Sequence, residues 1–151
     1  MRAFLAQMGD AMPTNTDAKI RDILRDTKVI ALVGWSPKPD RPSHGVAAFL
    51  HNRGYTVIPV NPGQVGVQAL GTTVRASLSD ITEQVDMVDI FRRSEEVLPV
   101  VAQALRALPG LKTIWMQLGV ESAVAAALAV GRGLNVVQNR CPAIEIPRLH
   151  L

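Results

Sequence analysis

Residues 29–33, Val-Ile-Ala-Leu-Val, form a short apolar run that stops at Gly34. A polar, proline-rich segment follows, Trp35-Ser36-Pro37-Lys38-Pro39-Asp40-Arg41-Pro42-Ser43. Beyond it, Val46, Ala47, Phe49 and Leu50 recur at helical spacing. An apolar run without polar alternation predicts a strand buried on both faces, as in parallel sheets covered by helices. Strand, loop and helix in this order open a nucleotide-binding α/β unit. There the loop and the helix N-terminus present N–H groups to phosphate.

The rest of the chain repeats the alternation. Thr16 or Asp17 caps a helix to about Asp26, with Ile20, Ile23 and Leu24 on one face. Ser43 is placed as the N-cap of a helix to about Arg53, stopped by Gly54. Tyr55–Val60 reads as the second strand, and Asn61-Pro62-Gly63 as a turn. Residues 64–82 form a longer connection with a short strand at Thr73–Arg75. Asp86–Phe91, Thr113–Met116 and Leu134–Val137 are the further strands. A helix capped by Ser94 runs to about Leu108, with Glu95 and Glu96 at its positive end and Pro99 in its first turn. An alanine-rich helix spans Val120–Val130, and the tail from Cys141 to Leu151 closes over the body through Ile144, Ile146 and Leu149. The expected architecture is α/β, a doubly wound and mostly parallel sheet with helices on both faces. Residues 1–15 are expected to be a loose tail and 16–151 a single domain.

Bulk properties narrow the function. Aromatic residues make up 4% of the chain, too few for a platform that stacks single-stranded bases. The net charge is +3, with the basic residues scattered. That excess suits a small phosphorylated ligand better than a nucleic acid. No stretch approaches the ~18–20 apolar residues of a membrane span, and no signal-peptide core is present near Arg2, because Gly9, Asp10 and Pro13 interrupt the run. A cytoplasmic protein is expected. The single cysteine, Cys141, allows neither an internal disulfide nor a cysteine-rich zinc site.

Ligands of doubly wound sheets sit at the carboxyl ends of the strands. Those ends carry Gly34-Trp35-Ser36, Asn61-Pro62, Arg92-Arg93, Gln117-Leu118-Gly119 and Asn139-Arg140. Within the first loop, Ser36, Lys38, Arg41 and Ser43 offer hydroxyl, ammonium and guanidinium donors to phosphate oxygens. Pro37, Pro39 and Pro42 stiffen that loop and so lower the ordering cost of binding. Between the two arginines, Arg92 is the one expected to face the cleft.

Several chemistries fit poorly. The dinucleotide fingerprint needs three closely spaced glycines and an acidic residue after the second strand. Here no glycine follows Gly34 until Gly45, and Asn61 stands at the second position. A nicotinamide-dependent oxidoreductase is therefore the weakest alternative. The Walker pattern is absent. His44 sits near the cleft, while His51 falls late in a helix, on the surface. No acid–base pair or metal cluster is suggested by spacing. Cys141 beside Arg140 is either a small core residue or a thiolate of lowered pKa.

Taken in order, five segments resemble the family of small stand-alone CoA-binding domains. They are Val33-Gly34-Trp35-Ser36-Pro37-Lys38-Pro39 with Arg41 and Ser43; Gly54–Pro62; Val85–Arg93, which includes Phe91, Arg92 and Arg93; Trp115-Met116-Gln117-Leu118-Gly119; and Val136–Cys141 with Glu145. The resemblance spans roughly residues 20–149. This family is similar to the CoA-binding domain of the succinyl-CoA synthetase α subunit without its catalytic parts. It implies a Rossmann-like fold that binds coenzyme A or an acyl-CoA without catalysis of its own. The alanine-rich helix 120–130 and the apolar tail are either core or the face of a homodimer, and a partner enzyme is the other expected company. By that resemblance, Gly34 to Arg41 would hold the phosphates, while Asn61, Pro62, Phe91, Arg92 and Arg93 would line the nucleotide and pantetheine path. Two departures stand out. Trp35 replaces a small residue, and either stacks on adenine or crowds the loop. Asn139 replaces a frequent aspartate, which weakens any expectation of acid–base chemistry there. An acyl transferase or thiol-redox enzyme using Cys141 is the alternative from a different class.

Overall fold

The computed structural model describes residues 15–151; the expected tail lies, but for Asn15, outside the described residues. Five strands form one sheet: β1 (Val29–Val33), β2 (Thr56–Val60), β5 (Met87–Ile90), β6 (Thr113–Met116) and β7 (Asn135–Val137). The order is β2-β1-β5-β6-β7, and every pair is parallel. This is the expected α/β, Rossmann-like architecture. The chain leaves β1 for β2 on one side and returns to β5 on the other. The carboxyl ends of β1 and β5 therefore flank the point where the strand order reverses, the place where such sheets hold ligands.

Two apolar layers pack against the sheet. On one face lie α1 (Asp17–Asp26), α2 (Pro42–Asn52) and α5 (Pro142–Arg148), around Ile30, Leu32, Met87 and Trp115. On the other lie α3 (Val97–Ala107) and α4 (Ala123–Gly131), around Ala31, Val88, Ile90 and Ile114. Period-two alternation along each strand sends neighbours to opposite layers. The layers thus explain why these strands are apolar on both faces.

Several boundaries differ from the sequence expectation. Helix α2 starts at Pro42 with Arg41 as its N-cap, so Ser43 lies inside the first turn and is buried. Proline at the first helical position has a preset φ and no N–H to satisfy there. Ser94–Glu96 is a 3₁₀ turn and α3 begins at Val97. The Ser94 hydroxyl instead donates to the Gly119 carbonyl at 3.4 Å and accepts from Glu121 N–H at 3.0 Å. Helix α4 begins at Ala123, capped by Ser122, whose Oγ accepts from Ala125 N–H at 3.2 Å. The short strand expected at Thr73–Arg75 is β4 (Thr72–Thr73), which pairs antiparallel with β3 (Gln68–Ala69). Leu70 and Gly71 between them both have positive φ, the geometry that closes a two-residue hairpin. Arg75 makes a separate parallel bridge to Val60.

The tail is the largest difference, because 142–148 is helical. Pro142 and Pro147 argue against a helix by composition, but the first occupies the N-terminal turn, where no N–H is needed, while Pro147 lies inside the helix and forfeits one helical hydrogen bond. Buried Glu145 anchors the segment, bonded to Arg140 at 2.7 Å and to Arg148 at 2.9 Å. Arg148 reaches on to Asp17 at 2.8 Å, which ties α5 to α1.

Candidate functional site

Gly34 ends β1 with φ +92. Its N–H donates to the Val60 carbonyl at 3.0 Å, and Phe91 N–H donates to the Val33 carbonyl at 2.9 Å. A Cβ at Gly34 would collide with the Phe91 carbonyl oxygen. The glycine thus allows the ends of β1 and β5 to approach closely at the reversal point. Asn61, after β2, donates from Nδ2 to the Trp35 carbonyl at 2.6 Å and accepts from Gly63 N–H at 2.8 Å. It is both the turn residue read from the sequence and the tie that holds the first loop against β2.

Two cavities open at this rim. One of about 540 Å³ lies on the α2 side, and one of about 650 Å³ on the α3 side. Gly34, Asn61 and Phe91 line both. The first also collects Trp35, Ser36, Lys38, Arg41, Ser43 and Gln117; the second collects Pro62, Arg92 and Arg93. Pro37, which is exposed, lines neither, and neither do Pro39, His44, Gly119, Asn139 and Arg140.

The first loop is held in shape by its own bonds. Ser36 Oγ accepts from Lys38 N–H at 3.2 Å, and Arg41 N–H donates to the Lys38 carbonyl at 3.0 Å. His44 Nδ1 lies 3.0 Å from the Ser36 carbonyl, which makes Nδ1 the protonated nitrogen. Its ring stacks on Trp35 with centroids 6.0 Å apart. Trp35 is 4% exposed and packs into the α1/α2/α5 layer. It supports the loop from beneath while contributing an edge to the cavity.

The two cavities differ in charge. Among the described residues, Lys38 and Arg41 form no ion pair, whereas Arg92 binds Glu96 at 2.9 Å and Arg93 binds Glu96 at 3.3 Å. The Arg92 guanidinium, the largest cause, holds the Glu96 carboxyl below its usual range. Glu95 and Glu96 line the 650 Å³ cavity with the arginines. The cationic charge left for an anion therefore lies on the 540 Å³ side.

Beneath that side lies a buried carboxyl that belongs to none of the strand-end motifs. Asp89 lies in β5 and is 0% exposed. With the Gln117 amide turned so that Nε2 faces Asp89, it donates to the carboxyl oxygens at 3.0 and 3.2 Å; the opposite orientation would set the amide oxygen against them. Burial pushes the Asp89 carboxyl well above its ordinary value. The one available signal was a charged residue inside the apolar run Met87-Val88-Asp89-Ile90.

A carboxyl that holds its proton more tightly when folded leaves the folded state with more bound protons than the unfolded chain. Its contribution to stability then falls as pH rises from about 4, the ordinary aspartate value, through the raised value. Asp89→Asn removes this loss. The difference in urea unfolding free energy between variant and wild type should favour the variant more at pH 8 than at pH 5. An equal difference at both pH values would mean that Asp89 ionises freely.

Asn139, at φ 57, accepts from Gly119 N–H at 2.7 Å through its side chain. Asparagine tolerates that left-handed backbone, so its role here is to fold the rim. Leu118, Val120 and Cys141 also line the 540 Å³ cavity. Cys141 is 6% exposed. No group of metal-ligating side chains occurs among the described residues, and no described helix is long and apolar enough to cross a membrane.

The family model for the CoA binding domain matches residues 28–147. An uncharacterized protein of Bacillus subtilis, YneT, is 37% identical over 130 residues, covering 86% of this chain and 93% of its own. A hypothetical protein from Pyrococcus horikoshii superposes with a TM-score of 0.83 at 39% identity, over 91% of this chain and 94% of that one. A dinucleotide-forming acetyl-coenzyme A synthetase of Ca. Korarchaeum cryptofilum, solved with phosphate and ADP, gives a TM-score of 0.63 at 25% identity. The match covers 76% of this chain and 26% of the synthetase. The match to residues 28–147, nearly the whole β1–α5 body, places the chain in the CoA binding domain family.

Proposed function

We propose that this protein binds coenzyme A or an acyl-CoA at the rim where β1 and β5 end, and carries out no catalysis of its own. The observation that carries the reading is the meeting of two cavities at Gly34, Asn61 and Phe91, with cations unpaired among the described residues on one side only. Lys38, Arg41 and the first-loop hydroxyl of Ser36 hold phosphate. The apolar wall of the 540 Å³ cavity, with Leu118 and Val120, receives the pantetheine arm. Pro62, Arg92 and Arg93 line the continuation of the path. The likeness to a segment of an acetyl-coenzyme A synthetase supports a coenzyme A ligand, and the small share of that enzyme covered supports a binding role without its chemistry.

Calorimetric titration with coenzyme A, acetyl-CoA, NAD and ATP tests the proposal. Saturable binding of coenzyme A, weaker at higher salt and much stronger than that of NAD, is the expected result. A folded, ligand-free protein that fails to bind coenzyme A would refute it. Arg41→Ala should weaken coenzyme A binding by about 1–3 kcal/mol, the worth of a charge-assisted hydrogen bond. Unchanged affinity would remove Arg41 from the site.

One observation favours a second reading, that of a thiol enzyme: Cys141 lines the same cavity. A reactive Cys141 would attack coenzyme A disulfide, form a mixed disulfide and release one coenzyme A thiol. Mass spectrometry after exposure to that disulfide separates the readings. A Cys141-dependent adduct supports the enzyme. Its absence, with coenzyme A affinity retained in Cys141→Ser, supports the binder.

A further inference from the structure

Beneath the 540 Å³ cavity lies a polar pair that the phosphate contacts leave unused. Asp89 stands mid-sheet, in register with Leu32 of β1 and Trp115 of β6. A carboxyl in a central strand is costly to bury without a partner. Among the described residues it forms no ion pair, and its hydrogen-bond partner is the Gln117 amide nitrogen, at 3.0 and 3.2 Å. Gln117 is itself 5% exposed and lines the cavity. With one Nε2 hydrogen shared between the two Asp89 oxygens, Gln117 keeps its second N–H and its carbonyl oxygen, and the carbonyl oxygen is the acceptor it can offer the cavity.

We propose that Asp89 is a positioning residue that fixes the Gln117 amide, and that Gln117 Oε1 accepts a hydrogen bond from a donor group of the bound ligand. The inference rests on the coenzyme A reading. Under it, the donor is an amide N–H or the thiol of the pantetheine arm, because the phosphate groups seated at Lys38 and Arg41 offer acceptors. An acceptor on the cavity wall attracts an N–H and repels a carbonyl oxygen. It therefore sets which edge of the arm faces the protein, while Leu118 and Val120 contribute apolar contact without direction.

The test compares two ligands across four proteins. The ligands are coenzyme A and adenosine 3′,5′-bisphosphate, which lacks the arm. The proteins are wild type, Gln117→Leu, Asp89→Leu and Asp89→Asn. Gln117→Leu should weaken coenzyme A roughly tenfold, the loss of about one hydrogen bond, and leave the bisphosphate unchanged. Asp89→Leu should reproduce that selective loss, and Asp89→Asn, whose side-chain oxygen still accepts from Nε2, should rescue it. If Asp89→Leu does not fold, the other two variants decide the matter. Three results would overturn the inference alone: coenzyme A affinity unchanged in Gln117→Leu, equal losses for both ligands in that variant, or a failure of Asp89→Asn to rescue. A folded wild type that binds neither ligand would instead overturn the coenzyme A reading and this inference with it.

Discussion

Gly34→Ala is expected to destabilise the protein by roughly 2–6 kcal/mol and to abolish ligand binding. The left-handed backbone at φ +92 costs an alanine about 1–3 kcal/mol. The new methyl would also strike the Phe91 carbonyl oxygen, and would lie 3.1 Å from its carbon and 3.2 Å from the Phe91 Cβ. Relief requires β1 and β5 to part, and forced overpacking of this kind adds about 1–3 kcal/mol. Backbone atoms on both sides resist, because Gly34 is bonded to Val60 and Phe91 to Val33. Gly54→Ala is the control. It shares the positive φ, at +99, but no atom of the described residues lies within 4 Å of its added Cβ. It should show the backbone strain alone and keep the site. Urea unfolding of the two variants measures the difference, and equal losses would show that the approach of β1 to β5 does not depend on the missing side chain.

Trp115→Ala should cost about 3–5 kcal/mol, the usual range for deleting a fully buried large aromatic side chain. Trp115 is 0% exposed, in the middle of β6. Its indole N–H donates to the Arg140 carbonyl at 2.8 Å, which sets the backbone just before Cys141 and α5. At about 2–4 °C per kcal/mol for a chain of this size, the melting temperature should fall by roughly 10 °C. Trp115→Phe separates the two contributions. It keeps most of the ring but leaves the Arg140 carbonyl without its donor, and should cost about 1–3 kcal/mol. A phenylalanine variant as unstable as the alanine variant would assign the whole effect to the hydrogen bond.

The order of strands and helices was legible along the chain because each is marked locally. Val29–Val33 is apolar throughout, Gly54 stops a helix, and Ile20, Ile23 and Leu24 share one face. Helix starts were less legible at Ser43 and Ser94, since a serine hydroxyl can serve as a cap or bond elsewhere. Ser43 is buried one residue after Pro42, and Ser94 bonds to Gly119 and Glu121, residues remote in sequence. The α5 segment was hidden by its two prolines. What makes it a helix is the anchoring of Glu145 by Arg140 and Arg148, together with the contact of Arg148 with Asp17.

The candidate site divides in the same way. Glycine, asparagine and arginine at strand ends are readable as rim residues, because a parallel sheet brings all its carboxyl ends to one edge. Hydrophobic periodicity and turn chemistry are properties of neighbouring residues, so the α/β class and the rim residues are legible in the sequence. Charge pairing is a property of distance in space. That Arg92 and Arg93 are paired with Glu96 and Glu95, while Lys38 and Arg41 remain unpaired among the described residues, appears only once the chain is folded. The same holds for Trp35, which the fold turns beneath the loop against His44. It holds most of all for Asp89, on β5, and Gln117, the residue just after β6, which meet as one buried pair because β5 and β6 run parallel in register.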